Sequence, residues 1–96
     1  MTDIQQRVLH ALETGCALEV DDGVFVESRT LHGIHGDPDS IAVSFEWSDE
    51  NGYIWEVDFT EQAISEAKID GNQIRLIDSA NEEVVVTVFQ LEPAHV

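Results

Sequence analysis

Two alternating runs that flank Asn51-Gly52 constrain the fold more than any other part of this chain. In the first, Ile41, Val43, Phe45 and Trp47 alternate with Ala42, Ser44, Glu46 and Ser48. In the second, Tyr53, Trp55, Val57 and Phe59 alternate with Ile54, Glu56 and Asp58. Side chains on a strand point alternately to opposite faces, so each run predicts a strand with one buried and one wet face. Asp49-Glu50-Asn51-Gly52 supplies the turn, because Asn-Gly accepts the backbone angles a hairpin needs. Pairing the apolar faces gathers the rings of Phe45, Trp47, Tyr53, Trp55 and Phe59 on one side. Such cross-strand aromatic pairs stabilise sheets. Trp47 and Trp55 are therefore expected in the core rather than on an exposed aromatic surface.

The other elements follow from local signals. Positions 3–14 predict a helix with Thr2 as N-cap, Gln5 at the capping-box position and an apolar stripe of Ile4, Val8, Ala11 and Leu12. Gly15 is placed to end it. Positions 17–20 and 24–27 read as short strands joined at Asp21-Asp22-Gly23. The stretch 28–39 has no clear period, holds Gly33, Gly36 and Pro38, and reads as a long loop. A short helix is predicted over 60–67, capped by Thr60 with Glu61 in its first turn, and Asp70-Gly71-Asn72 breaks it. Strands at 73–77 and 83–91 follow, around an Asp78-Ser79-Ala80-Asn81 turn and ended by Pro93. The unbroken apolar run Val84-Val85-Val86 predicts a central strand covered on both faces. The order is α-β-β-β-β-α-β-β: an α+β chain of one small domain over 1–96, with a mostly antiparallel sheet of about five or six strands.

Charge narrows the function. Twenty acids oppose Arg7, Arg29, Lys68 and Arg75, for a formal charge of -16. Hydrophobic residues still make up 43%, enough for a core and too many for a disordered acidic tail. Such a charge disfavours direct contact with nucleic acid or anionic lipid and favours a basic protein surface. The chain opens Met-Thr-Asp without a basic, apolar leader, no run is long enough to span a bilayer, and Cys16 is the only cysteine. A cytoplasmic protein without disulfide is the expectation.

Few residues carry a chemical signature. His32, His35, Asp37 and Asp39 crowd into Leu-His-Gly-Ile-His-Gly-Asp-Pro-Asp and are weak candidates for a transition-metal site, with a solvated polar loop as the plainer reading. An EF-hand loop fails: with Gly52 sixth, Trp47 is first, and with Gly71 sixth, Ile77 is twelfth. Cys16 lies near Glu13 and Glu19, surroundings that do not favour a thiolate, and is expected as a small buried residue. No phosphate-cradling glycine loop or serine-hydrolase motif occurs, so neither an enzyme nor a cofactor is expected. The candidate partner-binding residues are Glu46, Glu56 and Asp58 on the polar hairpin face, with Asp49 and Glu50 at its tip. Like charges facing each other across strands are unfavourable, and a basic partner would offset them.

The expected function is a non-catalytic module that binds a basic partner. A nucleic-acid mimic, with carboxylates in place of phosphates, is its most specific form. Adaptation to high salt is the alternative, since lysine occurs once. The helix–strands–helix–strands order and the acidity are also similar to those of type III secretion chaperones. That similarity implies a protein-binding role, although the chain is shorter and lacks room for the C-terminal helix by which that family dimerises.

Overall fold

Thr2 starts the first helix as the sequence requires. Its hydroxyl accepts from the Gln5 backbone N–H at 3.1 Å, and the Gln5 side chain accepts from the Thr2 N–H at 2.9 Å. The helix α1 spans Asp3–Thr14 and buries Val8 and Leu12 completely. This computed structural model describes residues 2–21 and 23–90, so Asp22 of the first predicted turn, Leu91 of the last predicted strand and Pro93 beyond it lie outside the described residues.

Gly15 does end α1, for a reason other than handedness. Its backbone is extended (φ -60°, ψ 135°), which any residue adopts. What demands glycine is space: a Cβ there would lie 2.6 Å from Val88 Cγ1 and 3.1 Å from the Ala11 carbonyl oxygen. Where nothing is crowded, Gly→Ala stabilises by about 0.4–1 kcal/mol through the unfolded chain. Here Gly15→Ala is expected to destabilise by about 1–3 kcal/mol, because Val88 is β-branched and cannot turn away cheaply. Urea unfolding decides it by sign: a gain in stability would mean that helix and strand separate without strain.

Eight strands form two sheets, all of whose pairings are antiparallel. The strands are β1 (Ala17–Val20), β2 (Val24–Phe25), β3 (Ser28–Leu31), β4 (Ile41–Ser48), β5 (Ile54–Thr60), β6 (Lys68–Asp70), β7 (Gln73–Ile77) and β8 (Glu83–Phe89). The larger sheet runs β2-β1-β8-β7-β6 and the smaller β3-β4-β5. The short helix α2 (Glu61–Ser65) links them, starting at Thr60, whose hydroxyl accepts from the Ala63 N–H at 3.1 Å. The predicted α+β class and order hold, with β3 and β6 added and the strands divided between two sheets. The chain changes sheet between neighbours: the Val26 N–H donates to Leu18 O in the larger sheet, and the Glu27 N–H to Glu46 O in the smaller, each at 2.9 Å.

One core joins both sheets and both helices. At its centre Phe45 and Phe59 are fully buried and meet edge to face, their ring centroids 5.7 Å apart. The register of β4 slips between Ile41 and Val43, so that Ala42 and Val43 are both buried despite being neighbours. Two burial expectations fail. The β8 strand is central and packs Val84, Val86 and Val88 into the core; its second face is covered only in part, with Thr87 buried and Val85 half-buried, but Phe89 40% exposed and touching Phe25, itself 55% exposed. The hairpin β4–β5 outruns the core, so Trp55 is exposed and Trp47 only half-buried.

Candidate functional site

Register sorts the smaller sheet into two faces. Arg29, Phe45 and Val57 stand in one row, and Leu31, Val43 and Phe59 in the next; these point inward. The alternate rows, Ser28–Glu46–Glu56 and Thr30–Ser44–Asp58, point outward, followed by the pair Ser48–Ile54. The predicted residues Glu46, Glu56 and Asp58 are thus brought together on one face. Glu27 joins them from the sheet-changing corner: the Ser48 hydroxyl lies 2.9 and 3.1 Å from its two carboxylate oxygens and donates there. The Ser44 hydroxyl donates to Asp58 at 2.7 Å. The only arginine or lysine in these strands, Arg29, turns inward and donates to Leu12 O at 2.8 Å. The outer face therefore holds, among the described residues, four carboxylates and small hydroxyls, with the His32 imidazole at its edge and no lysine or arginine. Among the described residues the one ion pair, Arg75–Glu83 at 3.7 Å, lies on the other sheet.

The crowding shows in acidity. Glu56 sits directly opposite Glu46, and its carboxyl is held above its ordinary value, first by a hydrogen bond with Asp58, then by the charges of Asp58 and Glu46. A folded-state value above the unfolded one means that ionising Glu56 destabilises the fold, and that stability returns as pH falls through the raised value. Asp49 is the opposite case: the Trp55 indole N–H and backbone N–H groups of the turn hold its carboxyl below its ordinary value. Its contribution is complete above the unfolded value and lost as pH falls through the depressed folded one. At low salt, Tm is expected to rise slightly on mild acidification from neutrality and to fall again in stronger acid. Glu56→Gln should flatten the rise and leave the acid fall. An unchanged rise in that variant would place the repulsion elsewhere.

Asp49 and Glu50 divide in role. The Asp49 carboxylate accepts from the Asn51 N–H at 2.9 Å, the Tyr53 N–H at 3.1 Å and Trp55 Nε1–H at 2.9 Å, so it builds the turn. Glu50 is exposed at the tip. Gly52 supplies the positive φ (83°) that the turn requires.

The loop of His32, His35, Asp37 and Asp39 is organised by a residue that sequence reasoning assigned only to helix polarity. Glu61 is 2% exposed, and its carboxylate accepts three backbone N–H groups, from His35 at 2.9 Å, Gly36 at 3.0 Å and Asp37 at 3.1 Å. The loop answers in kind: Ser40 O and Pro38 O accept from the Glu61 and Gln62 N–H groups that begin α2. The positive φ values of Gly33 (86°) and Gly36 (91°) allow this wrap. His35 Nε2 lies 2.8 Å from His32 O, His32 Nε2 lies 3.5 Å from the Ser44 hydroxyl, and Asp37 accepts from the Asp39 N–H and the Ser40 hydroxyl. Among the described residues no three His, Cys, Asp or Glu side chains gather as a metal site. Cys16, expected buried, is exposed. The only sequence signal for Glu61 was an acid directly after a capping threonine, which does not disclose a partner some 25 residues away.

Among the described residues no helix is long and apolar enough to cross a membrane. The chain matches no protein-family model, no curated protein and no solved structure.

Proposed function

We propose that this chain is a non-catalytic binding module whose outer β3–β4–β5 face engages a basic protein surface. The observation that carries the reading is the composition of that face: Glu27, Glu46, Glu56 and Asp58 with no lysine or arginine, the half-buried Arg29 being turned inward to the Leu12 carbonyl. Internal ion pairing does not relieve this repulsion, and a partner supplying lysines and arginines would. Carboxylates held in rows on a rigid sheet resemble a polyanion, so the most specific form of the proposal is a nucleic-acid mimic that occupies the binding surface of a DNA- or RNA-binding protein. Association would then share the salt sensitivity and electrostatic steering of nucleic-acid binding.

The test is affinity capture from the native host's lysate at low salt, eluted with a salt gradient, beside an unrelated bait of equal charge. One stoichiometric basic protein, specific to this bait and prevented by it from binding its nucleic acid, is the expected result. The same broad set of basic proteins on both baits would contradict it and leave the charge as an adaptation to salt.

A further inference from the structure

The outer face ends at an exposed aliphatic side chain, Ile54, paired with Ser48. Past Glu46 the hairpin runs beyond the core, and Tyr53, Ile54 and Trp55 are 69, 73 and 55% exposed. Of these three only Ile54, opposite Ser48, stands on the outer face; Tyr53 and Trp55 take the opposite side of the strand. On the same side as Ile54, next to the corner where the chain changes sheet, lies a hollow of about 210 Å³ lined by Glu27, Ser28, Glu46, Trp47, Ser48 and Ile54.

The hollow specifies its occupant by complementarity. One wall is aliphatic, from Ile54. Two carboxylates, Glu27 and Glu46, line it, and Ser48 orients the first by donating to it. No lysine or arginine lines it. Of the chain's own cations, Arg29 is committed to Leu12 O, Arg75 lies beside Glu83, Lys68 stands opposite Arg75 on β6 in the other sheet, and Arg7 sits on α1. The fitting ligand has an apolar stem and a cationic head. Lysine and arginine both bury their methylenes along apolar surface while keeping the head polar. Arginine differs in its planar fork of donors, which can serve two carboxylates at once, and in a head that is more weakly hydrated.

We propose that this hollow receives an arginine side chain of the basic partner, its methylene stem lying on Ile54 and its guanidinium bridging Glu27 and Glu46. The proposal rests on reading the outer face as the partner's docking surface, and it adds an anchoring point to a surface otherwise governed by diffuse charge.

The test is an NMR titration of the amide-labelled chain with capped Gly-Arg-Gly tripeptide, repeated with lysine or citrulline in place of arginine. The arginine peptide is expected to move the amide signals of Glu27, Glu46, Ser48 and Ile54, more strongly than the lysine peptide, while citrulline has no effect. Glu27→Gln with Glu46→Gln should weaken binding about tenfold, the scale set by hydrogen bonds to a charged group. Ile54→Ser, which retains every carboxylate, should weaken it by a smaller factor and reduce the preference for arginine. Both variants must keep the wild-type signal dispersion, which separates lost binding from lost folding. Equal response to arginine and lysine, or binding indifferent to Glu27→Gln with Glu46→Gln, would overturn the proposal. Shifts at Glu46, Glu56 and Asp58 that spare Ser48 and Ile54 would overturn the anchor and leave the acidic face standing; shifts confined to other acidic turns would overturn both.

Discussion

Glu61→Ala is expected to destabilise the fold by about 3 kcal/mol or more. The carboxylate is buried, and three backbone N–H groups converge on it. Removing it loses three hydrogen bonds to a charged group, each worth about 1.5–3 kcal/mol, and empties a buried site, a cost offset only in part by water reaching the exposed residues His35, Gly36 and Asp37. Glu61→Gln should recover only part of the loss, since its amide keeps one acceptor oxygen and turns an NH₂ group toward a backbone donor. Urea unfolding measures the size of the effect, and hydrogen exchange its place. The amides of His35, Gly36 and Asp37 should lose protection before those of Val86 and Val88 in the central strand. A loss below 1 kcal/mol, or uniform loss of protection, would mean that the loop is held by something other than this carboxylate.

The second large effect concerns binding. Reversing both members of the facing pair, Glu46→Lys with Glu56→Lys, is expected to abolish capture of the proposed basic partner, a loss of at least about a hundredfold given the energies measured for close charge pairs at interfaces. The fold should survive, because both side chains are exposed and their alternate neighbours Phe45 and Val57 keep their places in the core. One like-charge pair replaces another, so stability should stay within about 0.5 kcal/mol of the parent. Glu46→Lys by itself should even stabilise slightly, by placing opposite charges across the strands. Retained binding in the double variant would move the contact surface off this sheet.

How much of this was legible in the sequence depends on the range of the interaction concerned. The capping box of Thr2 and Gln5, the turn at Gly52 and the inward side of Val43, Phe45, Val57 and Phe59 are local patterns, and reading along the chain finds them. The outer carboxylates were legible for the same reason, because strand alternation places Glu46, Glu56 and Asp58 together once the hairpin is recognised. What failed was set by distant contacts. Ser28-Arg29-Thr30-Leu31 lacks an apolar alternation and so reads as loop; it is the strand β3 because β4 offers it an edge, with Arg29 satisfied by a helix carbonyl from α1. Trp55 follows the apolar alternation yet stands in water, since the pattern reveals which face a residue takes and not where the core ends. Gly15 was assigned correctly as a helix end, but its need for space against Val88 could be seen only once β8 was in place. Glu61 is the furthest case, as its three partners lie in a loop with no signal of its own.

In the proposed module the position of the charge matters rather than its sum. Two variants of equal net charge test it most directly: Glu46→Gln with Glu56→Gln on the outer face, and Glu13→Gln with Glu82→Gln on exposed positions of α1 and of the β7–β8 turn. Both are compared with the parent chain for the salt concentration that releases the captured partner. The outer-face variant should release it at much lower salt and the remote variant close to the parent value. Equal shifts in the two would overturn the assignment of the outer face, because they would show that the partner responds to net charge and to no particular face.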